Sequence, residues 1–193
     1  MAGIQLGLIG SFYGAVGDFE SIATVSVGAG GTATITFSSI PSTYTHLQIR
    51  AIHKDELAGT GRSWCTIALN SDTTTTNYAA HSLSGDGASA AASGYDSTSG
   101  LGRYSFLNPH KDNAGGSGAY GVLVMDILDY ANTNKYKTVR TLNGWDGNGS
   151  GNVALSSNLW MNTAAVTTVA ISNSTGGGDQ AEYSHFALYG IKG

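Results

Sequence analysis

A glycine-rich loop near residue 150 has the oxygen-bearing side chains and spacing of a cation-binding loop. Asp146, Asn148 and Ser150 stand at positions one, three and five of a calcium loop, and Gly151 stands at position six. Such a loop needs a bidentate carboxylate at position twelve, where this chain has Ser157. The sequence therefore predicts a polar hairpin loop here, and a cation site completed by a neighbouring chain stays open.

The histidines are too scattered to predict a metal centre. They stand at His46, His53, His81, His110 and His185. A zinc site needs three or four converging ligands, and no local group of the chain supplies them. We expect no metal and no cofactor.

Residues that could catalyse a reaction are present, but not in catalytic patterns. The chain lacks the Gly-x-Ser-x-Gly pattern of a nucleophile elbow. Asp126 and Asp129 flank an apolar strand and are interpreted as its solvent face and its end, not as a glycosidase pair. Cys65 lies in a strand-like segment and is predicted to be a small core residue. The charged cluster at 53–56 is predicted to be a solvated loop, with contact to the rim of a partner as an alternative. We expect a protein that is not an enzyme.

The composition favours a protein that works packed against neighbours. Only 11% of its 193 residues are charged, against about 25% in average globular domains. The net charge is −4 and the nine basic residues form no cluster, which argues against a nucleic-acid partner. No apolar stretch is long enough to span a bilayer, so no membrane partner is expected.

Alternation of apolar and polar residues between glycine-rich turns predicts nine to eleven short strands. The predicted strands cover 22–27, 32–40, 45–52, 63–70, 79–83, 103–107, 120–130, 137–145, 152–160, 166–173 and 181–191. The weakly patterned region 84–100 is predicted to be a long surface loop. The fold class is all-β, with residues 20–193 forming one antiparallel β-sandwich and a jelly roll as the first choice of topology.

Residues 1–19 are apolar and rich in glycine, and they carry no charge before Asp18. One interpretation is an extended N-terminal arm that docks on a neighbouring subunit, as an added strand or in an apolar slot. The other is the first strand and turn of the domain's own core. Candidate partner-binding residues of the arm are Ile4, Leu6, Leu8, Ile9, Phe12, Tyr13 and Phe19.

The chain resembles small structural proteins of tailed bacteriophages in four short motifs, which occur in the order expected for those proteins. They are Ser38 to Arg50 after a glycine-rich hairpin, Asn77-Tyr78 followed by Gly85-Asp86-Gly87, Asn158 to Thr167, and Ala187 to Lys192. The proteins they resemble are capsid decoration or cement proteins, head fibres and domains of tail fibres. The pattern includes no catalytic residue.

The resemblance implies a non-enzymatic virion protein, with the capsid decoration or cement role preferred. Its partners would be the major capsid protein or other virion subunits, and it would form a homo-oligomer. The alternative is a tail fibre, tail appendage or receptor-binding protein that contacts the host surface. For that alternative the candidate contacts are the 84–100 region and, where exposed, Tyr104, Trp145 and Trp160.

Overall fold

The computed structural model of the chain describes residues 18–57, 62–99, 101–109, 118–174 and 177–193. Six of the seven candidate arm residues lie outside these ranges: Ile4, Leu6, Leu8, Ile9, Phe12 and Tyr13. Docking of the arm on a neighbour therefore stays a prediction.

The described part of the chain contains twelve strands. They are β1 (Phe19–Ser26), β2 (Thr34–Phe37), β3 (His46–His53), β4 (Arg62–Leu69), β5 (Tyr78–Gly85), β6 (Ala90–Tyr95), β7 (Tyr104–Pro109), β8 (Gly121–Leu128), β9 (Lys137–Asp146), β10 (Gly151–Trp160), β11 (Val169–Asn173) and β12 (His185–Ile191). One 3-10 turn, Thr75–Asn77, precedes β5.

The strands form two antiparallel sheets. One has eight strands in the order β1-β12-β3-β8-β9-β10-β5-β6, and the other has four in the order β2-β11-β4-β7. The prediction of an antiparallel all-β protein is confirmed. This strand order does not establish a sandwich or a jelly-roll topology, and both stay predictions.

Period-two alternation explains how the central strands pack. In β8, the side chains of Leu123, Met125 and Ile127 are buried, while those of Val122 and Val124 on the opposite face are exposed. Successive residues of a strand point to opposite faces, so one set faces the core. Buried residues from both sheets belong to a single hydrophobic cluster, which is the core of the protein.

The predicted surface loop at 84–100 is wrong. Residues 78–85 and 90–95 form a β-hairpin, and only 86–89 make the turn between them. The Asp86 carboxylate accepts hydrogen bonds from the backbone amides of Ala88 and Ser89, which closes this turn. Sequence patterning misses β6 because its alanines, serine and glycine show no alternation of apolar and polar residues.

Two of the recognised motifs meet where β1 and β12 pair. The ring of Tyr44 lies against Gly190, and a Cβ at residue 190 would overlap that ring. The Tyr44 hydroxyl donates to the Glu20 carboxylate at 2.9 Å, and Lys192 Nζ donates to the same carboxylate at 2.7 Å. The Tyr130 hydroxyl donates to the Pro41 carbonyl, which holds the chain between β2 and β3. These motif residues therefore fix loops and strand ends.

The other two motifs meet around Asp72, between β4 and β5. Its carboxylate accepts hydrogen bonds from Trp160 Nε1 at 2.8 Å and from Asn77 Nδ2 at 2.8 Å. Asn70, which has a positive φ of 51°, donates to the Ala165 carbonyl and accepts from the Thr167 amide. Both motifs therefore hold one end of the molecule together.

Replacing Gly190 with Ala is expected to destabilise the protein by about 2–3 kcal/mol, because the added methyl group forces the Tyr44 ring out of its site. Urea unfolding of the variant measures the loss. Gly28→Ala is the matched control, since a Cβ there meets no atom within 4 Å. Adding Tyr44→Ala to Gly190→Ala should cancel the clash, and a strictly additive double variant would contradict this explanation.

Candidate interaction surface

The face of the eight-stranded sheet that points away from the core carries a row of exposed apolar side chains. We call it the outer apolar face, and it consists of Ile52, Leu83, Val122, Val124, Leu142, Val153 and Leu155. Between 36% and 57% of the surface of each residue is exposed. The face spans five neighbouring strands, β3, β8, β9, β10 and β5.

The strand register places these side chains directly beside one another. Val124 pairs with Leu142, Leu142 with Leu155, and Leu155 with Leu83. Directly opposed residues of antiparallel strands have Cβ atoms about 5 Å apart, so the row is continuous. A second row runs alongside, where Ile52 pairs with Val122.

At the end of β9, β10 and β5 that is nearest the 86–89 and 147–150 turns, polarity is reversed between the two faces of the sheet. Leu142 and Leu155 are 54% and 48% exposed, whereas the polar neighbours Thr141, Asn143 and Ser156 are buried. A strand with one solvated face normally turns its apolar residues inward. An exposed apolar patch of this kind is typical of a surface that binds a partner.

A polar ladder borders the outer apolar face on one side. Gln48 donates to Asp126 at 2.8 Å, and Arg140 forms a 3.2 Å ion pair with the same carboxylate. In the strand register Gln48 lies opposite Asp126 and Asp126 lies opposite Arg140, so the three side chains form one row across the sheet. An apolar centre with a polar border is the usual composition of a protein–protein interface.

Phe19 is the one candidate arm residue within the described ranges. It opens β1, where its ring stacks on Tyr189 with centroids 4.6 Å apart, and the Arg50 guanidinium lies 5.2 Å from its centroid. Its surface is 42% exposed. Phe19 therefore belongs to the first strand of the domain's own sheet.

The prediction of a solvated loop at 53–56 is wrong for its first three residues. His53, Lys54 and Asp55 are buried, and Asp55 accepts hydrogen bonds from the Leu57 and Gly178 amides. Ser63 Oγ donates to the same carboxylate. Asp55 can be buried because these groups donate hydrogen bonds to its carboxylate. The bond from Gly178 joins residues far apart in the chain, which sequence patterning does not reveal.

A buried hydrogen-bonded chain adjoins this carboxylate. Gln180 Nε2 donates to Asn173 Oδ1 at 2.7 Å, and Cys65 Sγ approaches the same oxygen at 3.0 Å. Because Gln180 Oε1 is left as an acceptor, we assign Nδ1 of His53 as its donor at 3.3 Å. Burial lowers the pKa of His53 to about 4. Cys65 is fully buried, which confirms its predicted core position.

Of the three aromatic residues predicted for surface recognition, Trp160 and Trp145 have described side chains, and the two differ in exposure. Trp160 is 1% exposed and its Nε1 donates a hydrogen bond to Asp72, so its ring is not accessible to a ligand. The side chain of Tyr104 lies outside the described part of the chain. Trp145 is half-buried and lines a cavity of about 360 Å³ with Asp86, Asp146 and Asn152.

The glycine-rich loop near residue 150 is the turn between β9 and β10. The Gly147 amide donates to the Ser150 carbonyl at 2.6 Å, and the Asn148 amide donates to Asp146 Oδ1 at 2.9 Å. This confirms the predicted hairpin. Among the described residues, no group of three or more His, Cys, Asp or Glu side chains is placed to hold a metal ion.

Comparison of the chain with protein-family models, with curated proteins and with solved structures found no match. The phage resemblance therefore stays a prediction. Within the described ranges, no helix has the length and apolar character needed to cross a membrane.

Lowering the pH from 7 to 4.5 is expected to destabilise the protein by about 2–3 kcal/mol through His53 alone. The unfolded histidine, with a pKa of about 6.5, takes up a proton in this range, whereas the folded one stays neutral until pH 4. Stability therefore falls as the pH falls.

Urea unfolding of the wild type and of His53→Gln across this range isolates the contribution. Above pH 7.5 the two proteins should show parallel pH dependence. Equal losses between pH 7 and 4.5 would show that His53 is not the titrating group.

Proposed function

We propose that this chain is a non-enzymatic structural subunit of a tailed-bacteriophage virion, a capsid decoration or cement protein. It stabilises the head by binding neighbouring subunits of the major capsid protein through its outer apolar face. The observation that carries the proposal is the reversed polarity of β9, β10 and β5, where leucine is exposed and polar side chains are buried. The four motifs supply the resemblance to phage proteins.

The size of the outer apolar face decides what kind of binding it supports. Two rows across five strands have ten positions, seven of them apolar and the others Arg50, Gly85 and Gly144. With strands about 4.8 Å apart and rows about 7 Å apart, the seven apolar positions give roughly 240 Å². At about 25 cal/mol per Å², covering them contributes on the order of 6 kcal/mol before the cost of association. That cost is about 4–15 kcal/mol, so a single copy binds weakly by this face alone.

Weak binding by one face suits a protein present in many copies on a repetitive shell. Linking two or more faces raises the effective concentration of each, so avidity replaces single-site affinity. The low charge density of the chain fits a working state in which neighbours cover much of its surface.

The second candidate function, a tail appendage or receptor-binding protein, is favoured by the cavity beside Trp145. An indole next to Asp86, Asp146 and Asn152 combines an apolar ring with hydrogen-bonding groups, as a carbohydrate site requires. In this alternative the end of the sheet formed by the 86–89 and 147–150 turns contacts the host surface.

Replacing Leu142 and Leu155 together with Asp is expected to weaken binding to undecorated phage heads at least tenfold. Both side chains are about half exposed, but the two new carboxylates lie directly opposite each other and repel, so some loss of stability is expected. Binding is therefore compared under conditions in which urea unfolding shows the double variant to be fully folded. Co-sedimentation with heads measures the binding. Tyr136→Ser is the matched control, because Tyr136 is 51% exposed but is not part of the outer apolar face.

The same preparations distinguish the head role from the tail role. Wild-type protein that binds host cells, and not heads, would overturn the decoration proposal. In that case Trp145→Ala should reduce binding to cells, whereas the double Asp variant should not.

A further inference from the structure

The strand β6 is the edge of the eight-stranded sheet, and it buries neither of its faces. Residues Ala90 to Gly94 are all exposed, and only Tyr95 is half-buried. β6 therefore lies beyond the part of the sheet that is covered by the core, whereas Tyr78 at the start of β5 belongs to the core. A single strand with two solvated faces gains little stability beyond its pairing with β5.

The other three sheet edges carry features that discourage pairing with another chain. β1 contains a register shift between Ser21 and Ala23 and the charged Glu20, while β2 has only four residues. β7 has a register shift against β4 and ends at Pro109. Bulges, charge, short length and proline are the usual devices that protect a sheet edge.

β6 has none of these devices. Its sequence is Ala-Ala-Ala-Ser-Gly-Tyr, six residues without charge or proline, paired to β5 in unbroken register. Its free edge has no strand partner among the described residues. Its unpaired backbone groups are thus open to a further strand.

The side chains of β6 suit pairing with an identical strand. When two copies of one strand pair around a two-fold axis, any charge lies near its own copy and repels it. The small, uncharged residues of β6 avoid this repulsion. β6 also continues the outer apolar face, since Ala92 lies directly opposite Leu83.

We propose that β6 pairs antiparallel with β6 of a second copy of this chain. A two-fold axis perpendicular to the sheet and centred on Ala92 places Ala91 opposite Ser93 and Ala90 opposite Gly94. Two eight-stranded sheets then become one sheet of sixteen strands. The outer apolar faces of the two copies lie on the same side of it and join across β6.

This inference does not depend on the phage assignment, because it rests only on the edge strand and its sequence. It adds to the proposed function a pair of identical apolar faces in one rigid sheet. Loss of pairing is read from the mass in solution, and loss of shell binding is read from co-sedimentation. The mass in solution therefore tests the β6 pairing, and co-sedimentation tests the proposed function, independently of each other.

Sedimentation equilibrium of the full chain across micromolar concentrations tests the pairing. The wild type is expected to shift from the 19.8 kDa monomer towards twice that mass. Ala92→Lys and Ala92→Glu should each weaken dimerisation at least tenfold, because like charges then face each other. An equimolar mixture of the two variants should restore the dimer, since opposite charges now meet.

Thr24→Lys is the matched control, because it places the same charge at an exposed position of β1, at the opposite edge of the sheet. It should leave the dimer intact. A wild type that stays monomeric at every concentration would overturn the proposal. A dimer that persists in both Ala92 variants, but is lost with Leu142→Asp and Leu155→Asp, would assign the contact to the outer apolar face instead. Loss of the dimer on deleting residues 1–17, with both Ala92 variants dimeric, would assign it to that segment.

Discussion

A sheet of four strands cannot cover a sheet of eight, and this mismatch governs the rest of the molecule. At about 4.8 Å per strand the two sheets are roughly 14 and 34 Å wide. The core uses the covered strands β12, β3 and β8, whose inward residues Phe186, Leu47 and Met125 are fully buried. β6 lies past that cover, and there the protein exposes both faces of a strand.

Much of the fold could be predicted from the sequence because the covered strands obey simple alternation. Leu123, Met125 and Ile127 alternate with exposed neighbours, and glycine-rich turns separate the strands. The same rule fails in β10, where Leu155 is exposed and Ser156 is buried. Alternation shows that two faces exist, but which face is covered depends on the other sheet and on partners. The β6 strand could not be predicted because pairing, without burial, defines it.

The candidate site was harder to predict than the fold for a related reason. The motifs that carry the phage resemblance include Tyr44, Gly190 and Trp160, and the structure uses all three to hold loops and strand ends. Such motifs report on the architecture of the chain. The outer apolar face is spread over five strands with no local motif, so it is visible only once the register is known. The burial of His53 and Asp55 likewise depends on Gln180 and Gly178, more than 120 residues away.

The pairing of β1 with β12 brings both ends of the described chain to one edge of the sheet, and β6 forms the opposite edge. A dimer joined through β6 would therefore carry β1 and β12 of its two copies at the two far ends of a single sheet. Sixteen strands at about 4.8 Å give a separation of roughly 70 Å along that sheet. The number of strands would then set the distance between two attachment points when one dimer bridges a surface.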